Sequence, residues 1–318
     1  MEKKPAVCGR FAPSPSGRMH LGNLWIAFLN WLWTRQQGGT IILRMEDIDK
    51  DRCHPSYAEG ILEDLAWMGL DYDEGPEGTY AYGSTVQSRR YDIYGKILSE
   101  MEKKGHIYPC YCSRSRIHQV LSAPHEGENR PVYDGHCRNL SEKERKAMTK
   151  PPCWRVAMEE GDTTFSDLFF GNVTRHLKKG ADDFVIRRAD GLVAYQLAVS
   201  IDDGAMGVTH VFRGNDLLDS TPYQVFLMEK LGYQPPVYGH LPLLTDKKGI
   251  RLSKRQQGIT IEELRNRGYS PEDLMGLLLH LAGGLPDMRP VTRKEAVENF
   301  PFEKLKNLKQ KHIVLPVS

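Results

Sequence analysis

Apolar residues in the first third of the chain form short β-rich runs that alternate with segments of helical spacing. The runs from Val7 to Phe11 and from Thr40 to Met45 predict two strands. Three helices follow from periodic apolar positions and end at Gly38, Gly69 and Gly105. Their apolar faces comprise Leu21, Leu24, Trp25, Phe28, Leu29 and Leu32, then Ile61, Leu65 and Met68, and then Tyr94, Ile97, Leu98 and Met101.

This alternation predicts an α/β protein with a Rossmann-type parallel sheet and right-handed crossovers. Residues 107–183 interrupt the rhythm, because they contain Cys-x-Cys, a polar loop and a Lys/Glu-rich stretch. We therefore expect residues 1–106 and 184–255 to form the two halves of a catalytic domain. We expect 107–183 to form an inserted subdomain, and 256–318 a short helical region that begins with a capping box at Thr260 and Glu263.

Composition limits the function classes without selecting one. The 318 residues carry 43 basic and 41 acidic side chains, a net charge of +2, so nucleic-acid binding would depend on a local patch. The N-terminus lacks an apolar signal core, and the chain lacks an apolar run long enough for a membrane span. We expect a cytoplasmic protein, where its six cysteines stay reduced and their spacing is examined first for metal binding.

The segment from Arg10 to Asn23 contains the first candidate for chemistry. A strand ends, a Pro- and Gly-containing loop follows, and a helix begins near Leu21. Backbone N–H groups and the positive helix end would then face a nucleotide phosphate. Gly22 allows a nucleotide to approach the backbone, and His20 can donate to phosphate oxygens. Taken alone, His-x-Gly also fits a glycine-containing turn with an exposed histidine.

A second basic segment lies far downstream, where Ser253 and Lys254 are flanked by Lys247, Lys248, Arg251 and Arg255. A lysine that meets the α- and β-phosphates of a nucleotide stabilises the departure of pyrophosphate. A solvated basic turn is the alternative explanation of this segment. Its position after the first motif favours a shared nucleotide site.

Both motifs resemble those of class I aminoacyl-tRNA synthetases, and five segments together resemble the glutamyl-tRNA synthetase family. The matching segments are residues 10–23, 43–49, 133–138, 211–216 and 251–255. Relative to that family, Asn23 stands at a variable position of the HIGH-type motif, and the KMSKS-type motif reads Arg251 to Arg255. The resemblance assigns catalysis to His20, Gly22 and Lys254. It assigns ATP binding to His20, Gly22, Asn23, Ser253 and Lys254, with Mg²⁺ accompanying the ATP.

The resemblance also implies a glutamate pocket, formed by Arg10, Phe11, Ala12, Pro13, Ser14, Glu46, Tyr195 and Arg213. The chemistry agrees, because guanidinium groups bind carboxylates through paired hydrogen bonds and an acidic group suits an α-ammonium. Arg213 or Arg10 would hold the side-chain carboxylate. Without the family, Glu46 could equally be paired with Arg44 at a strand end, and Tyr195 could be a core residue.

Cys110, Cys112 and Cys137 lie close enough in sequence to share a metal. Structural zinc sites take four ligands, although buried thiols alone would also explain this spacing. The family resemblance completes the set with Tyr133 and implies one structural Zn²⁺ per chain, with His136 or a water as rivals for the fourth position. Cys8, Cys53 and Cys153 have no partner at metal spacing, and we interpret them as ordinary thiols.

Only residues 256–318 follow the second motif, whereas full-length members of the family carry a large anticodon-binding domain there. With its Ala12–Gly17 variant, the chain resembles truncated paralogues that attach glutamate to the queuosine base of tRNA(Asp). The implied partners are ATP, L-glutamate and tRNA(Asp) bearing queuosine, without a membrane and with a monomeric enzyme. Alternatives are a truncated synthetase that charges tRNA(Glu), a non-catalytic tRNA-binding paralogue, and a small-molecule adenylate-forming ligase.

Overall fold

Strands and helices alternate along the chain in the computed structural model, which describes residues 7–113, 116, 133–246 and 259–315. The strands are β1 Cys8–Phe11, β2 Thr40–Leu43, β3 Ile107–Cys110, β4 Cys153–Val156, β5 Gly161–Asp167, β6 Gly171–Leu177, β7 Val185–Arg187, β8 His210–Gly214, β9 Val237–Leu241, β10 Leu243–Thr245 and β11 His312–Val314. The α-helices are α1 Leu21–Gln36, α2 Pro55–Met68, α3 Tyr91–Lys103, α4 Glu142–Lys146, α5 Tyr195–Ala205, α6 Thr221–Lys230, α7 Ile261–Asn266, α8 Pro271–Leu281 and α9 Arg293–Asn299.

A six-stranded sheet in the order β2-β1-β8-β9-β5-β6 forms the centre of the fold. The pairs β1–β2, β1–β8, β8–β9 and β5–β9 are parallel, and the β5–β6 hairpin is antiparallel. This mainly parallel sheet confirms the predicted α/β class. Glycine follows all three predicted helices as expected, since Gly38, Gly69 and Gly105 adopt φ values of 64°, 67° and 71°.

The segment predicted as an insertion divides between two sheets. Strand β4 pairs with β3 on one side and with β7 on the other in a small antiparallel sheet, in which Cys110 of β3 lies opposite Cys153 of β4. Strands β5 and β6 instead join the main sheet, where Asp167 pairs with Tyr238 of β9. Strand pairing therefore connects residues 161–177 directly to the catalytic sheet, and the domain limits drawn from the sequence stay a prediction.

Helix α1 lies against the main sheet and connects it to the C-terminal helices. Most of its length is buried, including Trp25, Phe28 and Leu32, and the Trp25 indole donates to the Pro242 carbonyl at 2.9 Å. At its C-terminal end, the Gln36 side chain donates to carbonyl oxygens near α9. None of the helices in the described part of the chain combines the length and hydrophobicity that a bilayer crossing requires.

Candidate active site

A cavity of about 440 Å³ opens at the carboxyl ends of β1 and β8. These two strands are neighbours, and the chain continues from β1 to β2 on one side and from β8 to β9 on the other. Ligands of open α/β sheets bind at such a switch point. The lining consists of Arg10, Phe11, Ala12, Pro13, Ser14, Ser16, His20, Asn23, Ile26, Arg52, Tyr195, Phe212, Arg213, Gly214 and Leu217.

A buried ion-pair cluster supports one wall of this cavity. Arg44, which is fully buried, donates to Asp203 at 2.6 Å and to Oε1 of Glu46 at 3.0 Å. Arg10 lies 3.4 Å from the same Asp203 oxygen. Burial raises the pKa of Glu46, and the charges of Arg44 and Arg10 oppose that rise. Among the residues that the structure describes, none bonds to Oε2 of Glu46, so this oxygen can accept from a ligand.

The backbone places Glu46 beside the loop after β1. The Glu46 N–H donates to the Pro13 carbonyl, and the Arg44 N–H donates to the Phe11 carbonyl, so residues 44–46 continue the pairing of β2 with the chain after β1. The suggested pairing of Glu46 with Arg44 is therefore present, and it occurs next to the cavity. The ion pair and a ligand role are compatible, because the pair uses only one carboxylate oxygen.

Tyr195 begins helix α5 and stands at the cavity wall with 39% of its surface exposed. Burial and the charge of Glu46 raise the pKa of Tyr195, while Arg213 and Arg10 lower it. The side chain therefore lies at the cavity wall, within electrostatic range of the charged groups of the site. This placement excludes the alternative of a fully buried core tyrosine.

Arg213, at the end of β8, is 4% exposed and is held by neutral side chains. Its Nε donates to Nε2 of His240 at 3.1 Å, Nη1 to Gln224 at 2.6 Å and Nη2 to Thr221 at 2.7 Å. These contacts use three of the five guanidinium N–H groups. One N–H remains on each terminal nitrogen without a partner among the described residues.

His20 lies at the N-terminus of α1 and caps it. Its Nδ1 accepts from the Gly22 N–H at 3.1 Å, and the Asn23 side chain accepts from the His20 N–H at 3.3 Å. Because Nδ1 is an acceptor, the ring proton of a neutral His20 lies on Nε2. The three residues of the first motif are thus brought together at a helix N-terminus, where anions bind.

The second motif lies outside the described residues, so the structure gives no position for Ser253 and Lys254. The described chain resumes at residue 259 and contacts the first motif directly. The Leu21 N–H donates to the Ile259 carbonyl at 3.2 Å, and Thr260 forms a β-bridge with His20. Backbone contacts therefore hold residues 259–260 against the start of α1.

Sequence reasoning missed several residues of this site. Arg52 lines the cavity from the loop before α2, and Asp203 neutralises two of its arginines. The pair Asp202-Asp203 in an otherwise apolar helix was an available signal, because buried acidic residues require cationic partners. His240 had no local signal, since its contact with Arg213 depends on the pairing of β8 with β9.

The three predicted cysteine ligands form a compact group. The Sγ atoms of Cys110, Cys112 and Cys137 all lie within 4.8 Å of one another, and those of Cys112 and Cys137 are 3.6 Å apart. Two sulfurs on a tetrahedral zinc with 2.3 Å bonds would be about 3.8 Å apart. The group therefore has the donor type and the spacing that a zinc site requires.

The Tyr133 hydroxyl lies 3.5 Å from the Cys110 sulfur and accepts from the Cys137 N–H at 2.9 Å. His136, the one residue proposed as a rival for the fourth position, is exposed and does not belong to the group of ligand atoms within 4.8 Å. Cys153 lies opposite Cys110 across β3 and β4. It does not belong to the group within 4.8 Å either, which agrees with its interpretation as an ordinary thiol. Hydrogen bonds from Cys153, Tyr133 and Arg155 lower the pKa of Cys110, which favours the thiolate that metals bind.

Comparison with known proteins gives one consistent result. The model of the catalytic domain of class I tRNA synthetases for glutamate and glutamine matches residues 6–313. Glutamyl-Q tRNA(Asp) synthetase of Nitratidesulfovibrio vulgaris is 48% identical over 92% of this chain and 91% of its own length. The protein of that name from Symbiobacterium thermophilum is 45% identical over 94% of each chain.

Among solved structures, glutamate-tRNA synthetase of Elizabethkingia anophelis aligns with a TM-score of 0.79 and 30% identity, over 94% of this chain and 66% of that one. The chain therefore belongs to the class I tRNA synthetases for glutamate and glutamine. Its resemblance to the truncated branch represented by the glutamyl-Q tRNA(Asp) synthetases is confirmed, and it is a ligase-type enzyme.

Proposed function

We propose that this enzyme activates L-glutamate with ATP, without requiring tRNA, and transfers the glutamyl group to the queuosine base in the anticodon of tRNA(Asp). One observation carries the proposal: a single cavity combines Arg10, Arg213 and the N-terminus of α1, beside a Glu46 oxygen that has no hydrogen-bond partner among the described residues. This set complements an amino acid with a second carboxylate, next to a nucleotide phosphate.

Glutamate would bind with its side-chain carboxylate on Arg213 and its α-ammonium on Oε2 of Glu46. Arg213 suits this role because it retains one N–H on each terminal nitrogen, the arrangement that holds a carboxylate by two hydrogen bonds. Arg10 and Tyr195 would orient the rest of the molecule, with Phe11, Ala12, Pro13 and Ser14 forming the wall. This geometry leaves the α-carboxylate directed toward His20.

Activation joins the α-carboxylate of glutamate to the α-phosphate of ATP and releases pyrophosphate. His20 would donate from Nε2 to a phosphate oxygen as charge develops there, and Gly22 and Asn23 shape the adjoining helix end. We assign stabilisation of the leaving pyrophosphate to Ser253 and Lys254, whose motif precedes Ile259 and Thr260, the residues that contact the start of α1. Mg²⁺ would enter with ATP and neutralise its phosphates.

In the second step, a hydroxyl of the queuosine cyclopentenediol attacks the acyl carbonyl of glutamyl-adenylate, and AMP leaves. The two relatives at 45–48% identity are named for glutamylation of tRNA(Asp) as glutamyl-Q tRNA(Asp) synthetases, which supports this acceptor. Local Lys and Arg side chains would hold the anticodon-loop phosphates while the modified base supplies specificity. The proposal places the reaction in the cytoplasm. It also takes a monomer as the active unit, and size-exclusion chromatography of the active enzyme checks this oligomeric state.

Radiolabelled glutamate offered with three tRNAs tests the proposal. We expect label on queuosine-containing tRNA(Asp) and none on tRNA(Asp) that lacks queuosine or on tRNA(Glu). Before any tRNA is added, ATP–pyrophosphate exchange should proceed with glutamate. The Lys254→Ala variant serves as a control that should lose exchange while it still binds glutamate.

Two results would overturn the proposal in different ways. Label on tRNA(Glu) alone would identify an enzyme that charges tRNA(Glu). Absence of exchange with every amino acid would favour a tRNA-binding protein without adenylation activity.

We further propose that Cys110, Cys112, Tyr133 and Cys137 hold one structural Zn²⁺. The spacing of the three sulfurs and the position of the Tyr133 hydroxyl support this set. Burial raises the pKa of Tyr133, so its phenolate would form only beside the cation. The ion would fix β3 to the loop at residues 133–137.

Metal analysis of the purified chain should find one zinc, and a chelator should lower the melting temperature. The Cys112→Ser variant should lose the metal, whereas Cys53→Ser, which alters a thiol outside the group, should retain it. Purified protein without zinc, in which Cys110 and Cys112 react freely with an alkylating agent, would contradict the site.

A further inference from the structure

His240 connects the Arg213 guanidinium to a buried carboxylate outside the cavity lining. Its Nε2 accepts from Nε of Arg213 at 3.1 Å, and its Nδ1 lies 2.6 Å from Asp167. The side chains of both His240 and Asp167 are completely buried. A continuous line of hydrogen bonds therefore runs from Asp167 through His240 to Arg213.

The contacts of His240 favour one protonation state. Its Nε2 faces the Nε–H of Arg213 and lies 3.0 Å from the Thr221 hydroxyl, so an unprotonated Nε2 can accept from both groups. A proton on Nε2 could be donated to Thr221 but would also face the Nε–H of Arg213 as a second donor, which disfavours imidazolium and the Nε2–H tautomer. The remaining proton lies on Nδ1 and is donated to Asp167. Burial also lowers the pKa of His240, which favours the neutral ring.

Backbone hydrogen bonds hold the Asp167 carboxylate in place independently of the His240 ring. It ends β5 and accepts from the backbone N–H groups of Phe169 and Phe170 at the turn of the β5–β6 hairpin. Its second oxygen also accepts from the backbone N–H of His240 at 3.2 Å. These contacts hold the carboxylate in place, so the tautomer of His240 is set by the hairpin.

The other partners of Arg213 are oriented in the same way. The Gln224 amide donates to Gln196 at 2.6 Å, which turns its oxygen toward Arg213. The Thr221 hydroxyl lies 2.9 Å from the Leu217 carbonyl and 3.0 Å from Nε2 of His240, and donation to either one leaves its oxygen to accept from Nη2 of Arg213. The Tyr238 ring lies 4.8 Å from the guanidinium carbon. Each partner offers Arg213 an acceptor.

We propose that Asp167 and His240 are positioning residues that fix the rotation of the Arg213 guanidinium, so that its two remaining N–H groups face the ligand and select a carboxylate over a carboxamide. This inference rests on the proposed function of Arg213 as the binder of the glutamate side chain. A carboxylate accepts both N–H groups, whereas the NH₂ of a carboxamide would meet one of them as a second donor.

Substitutions of His240 test the acceptor directly, in ATP–pyrophosphate exchange without tRNA. His240→Leu removes the acceptor and should raise KM for glutamate by roughly tenfold or more, the effect of losing a charge-assisted hydrogen bond. KM for ATP should stay unchanged, and the preference for glutamate over glutamine should fall. His240→Gln, whose amide oxygen can accept from Arg213, should recover most of the affinity.

Asp167→Asn tests the remote carboxylate. It should raise KM for glutamate, and the double variant with His240→Leu should be no worse than His240→Leu alone, because both changes act on one line of contacts. His210→Leu is the matched control. His210 lies on the same strand as Arg213, but its ring packs on Trp33 and it is not part of the cavity lining.

Nitrogen NMR of histidine-labelled wild-type protein gives a readout that does not depend on activity. We expect the His240 signals of a neutral ring protonated at Nδ1, and protonation at Nε2 would overturn the inference. An unchanged KM for glutamate in His240→Leu would also overturn it, provided that the wild type exchanges. If the wild type does not exchange with glutamate, the proposed function fails. The tautomer of His240 then still tests whether Asp167 and His240 orient Arg213.

Discussion

His20 has a structural role in addition to its proposed role in catalysis, and the two roles use different ring nitrogens. The residue order around it identified a candidate phosphate contact, and the structure adds that its Nδ1 caps helix α1. The cap could not be predicted from sequence, because it depends on the extended backbone of His20, with φ −113° and ψ 169°. The cap orients the ring and places the proton of a neutral imidazole on Nε2, the atom to which we assign the phosphate contact.

Asp64 in α2 is a buried acid with an incomplete hydrogen-bond set. The residue is 6% exposed, and its Oδ2 has no hydrogen-bond partner in the described part of the protein. Burial raises the pKa of Asp64 to about 6, while Arg18 opposes the rise. Its sequence position, between Glu63 and an apolar residue, did not reveal this burial.

We predict that Asp64 makes the protein less stable as the pH rises. Its pKa is raised above the unfolded value, so its contribution is fully present below pH 4 and is lost as the pH rises through about 6. A rise of the pKa from 3.8 to about 6 corresponds to a loss on the order of 3 kcal/mol. Urea unfolding between pH 4 and pH 7 should show this loss in the wild type and its absence in Asp64→Asn.

Glu63→Gln is the control for this comparison, because Glu63 is the preceding residue in the same helix and its side chain is 70% exposed. It should follow the wild-type pH dependence. If Asp64→Asn and the wild type changed in parallel over the whole range, the raised pKa would be wrong.

At the scale of elements, the local pattern of apolar residues was sufficient to predict the strands and helices in the first third of the chain. It was insufficient beyond that point. The predicted strands and helices from Val7 to Gly105 correspond to β1, α1, β2, α2 and α3. The β5–β6 hairpin was not predicted, although Thr163, Phe165 and Asp167 alternate as buried residues along β5. Asp167 obscured that alternation, since its burial is stabilised by contacts with His240, which is remote in sequence.

The packing of α8 depends on a glycine, which gives a prediction at this scale. A Cβ atom at Gly276 would lie 1.7 Å from the carbonyl oxygen of Arg289. Gly276→Ala must therefore displace the backbone at residues 289–290, which the Val291–Glu272 hydrogen bond holds against α8. We expect a cost of roughly 3 kcal/mol in the free energy of unfolding, measured in urea.

The matched change is Gly95→Ala in α3, where a Cβ would meet no atom within 4 Å. Since alanine favours helices over glycine, this variant should be more stable by about 0.5–1 kcal/mol. Equal stability of the two variants would show that the close approach of Arg289 to α8 is not a packing constraint.

At the scale of the whole molecule, topology assembles the site from distant segments. Neighbouring positions of β1 and β8 bring Arg10 and Arg213 to one cavity, although more than half of the chain separates them. The family resemblance named these residues, but periodicity alone could not, because the adjacency of β1 and β8 is a long-range pairing. Roles for Ser253 and Lys254 stay predictions, since their segment lies outside the described residues.

The position of the glutamyl group on the tRNA tests the central claim most directly. After reaction with radiolabelled glutamate, queuosine-containing tRNA(Asp) is cleaved by nuclease under mildly acidic conditions that preserve esters, and the fragments are separated. The proposed function predicts that the label is found in the anticodon-loop fragment that contains queuosine. Label on the 3′-terminal fragment, of this tRNA or of tRNA(Glu), would contradict it.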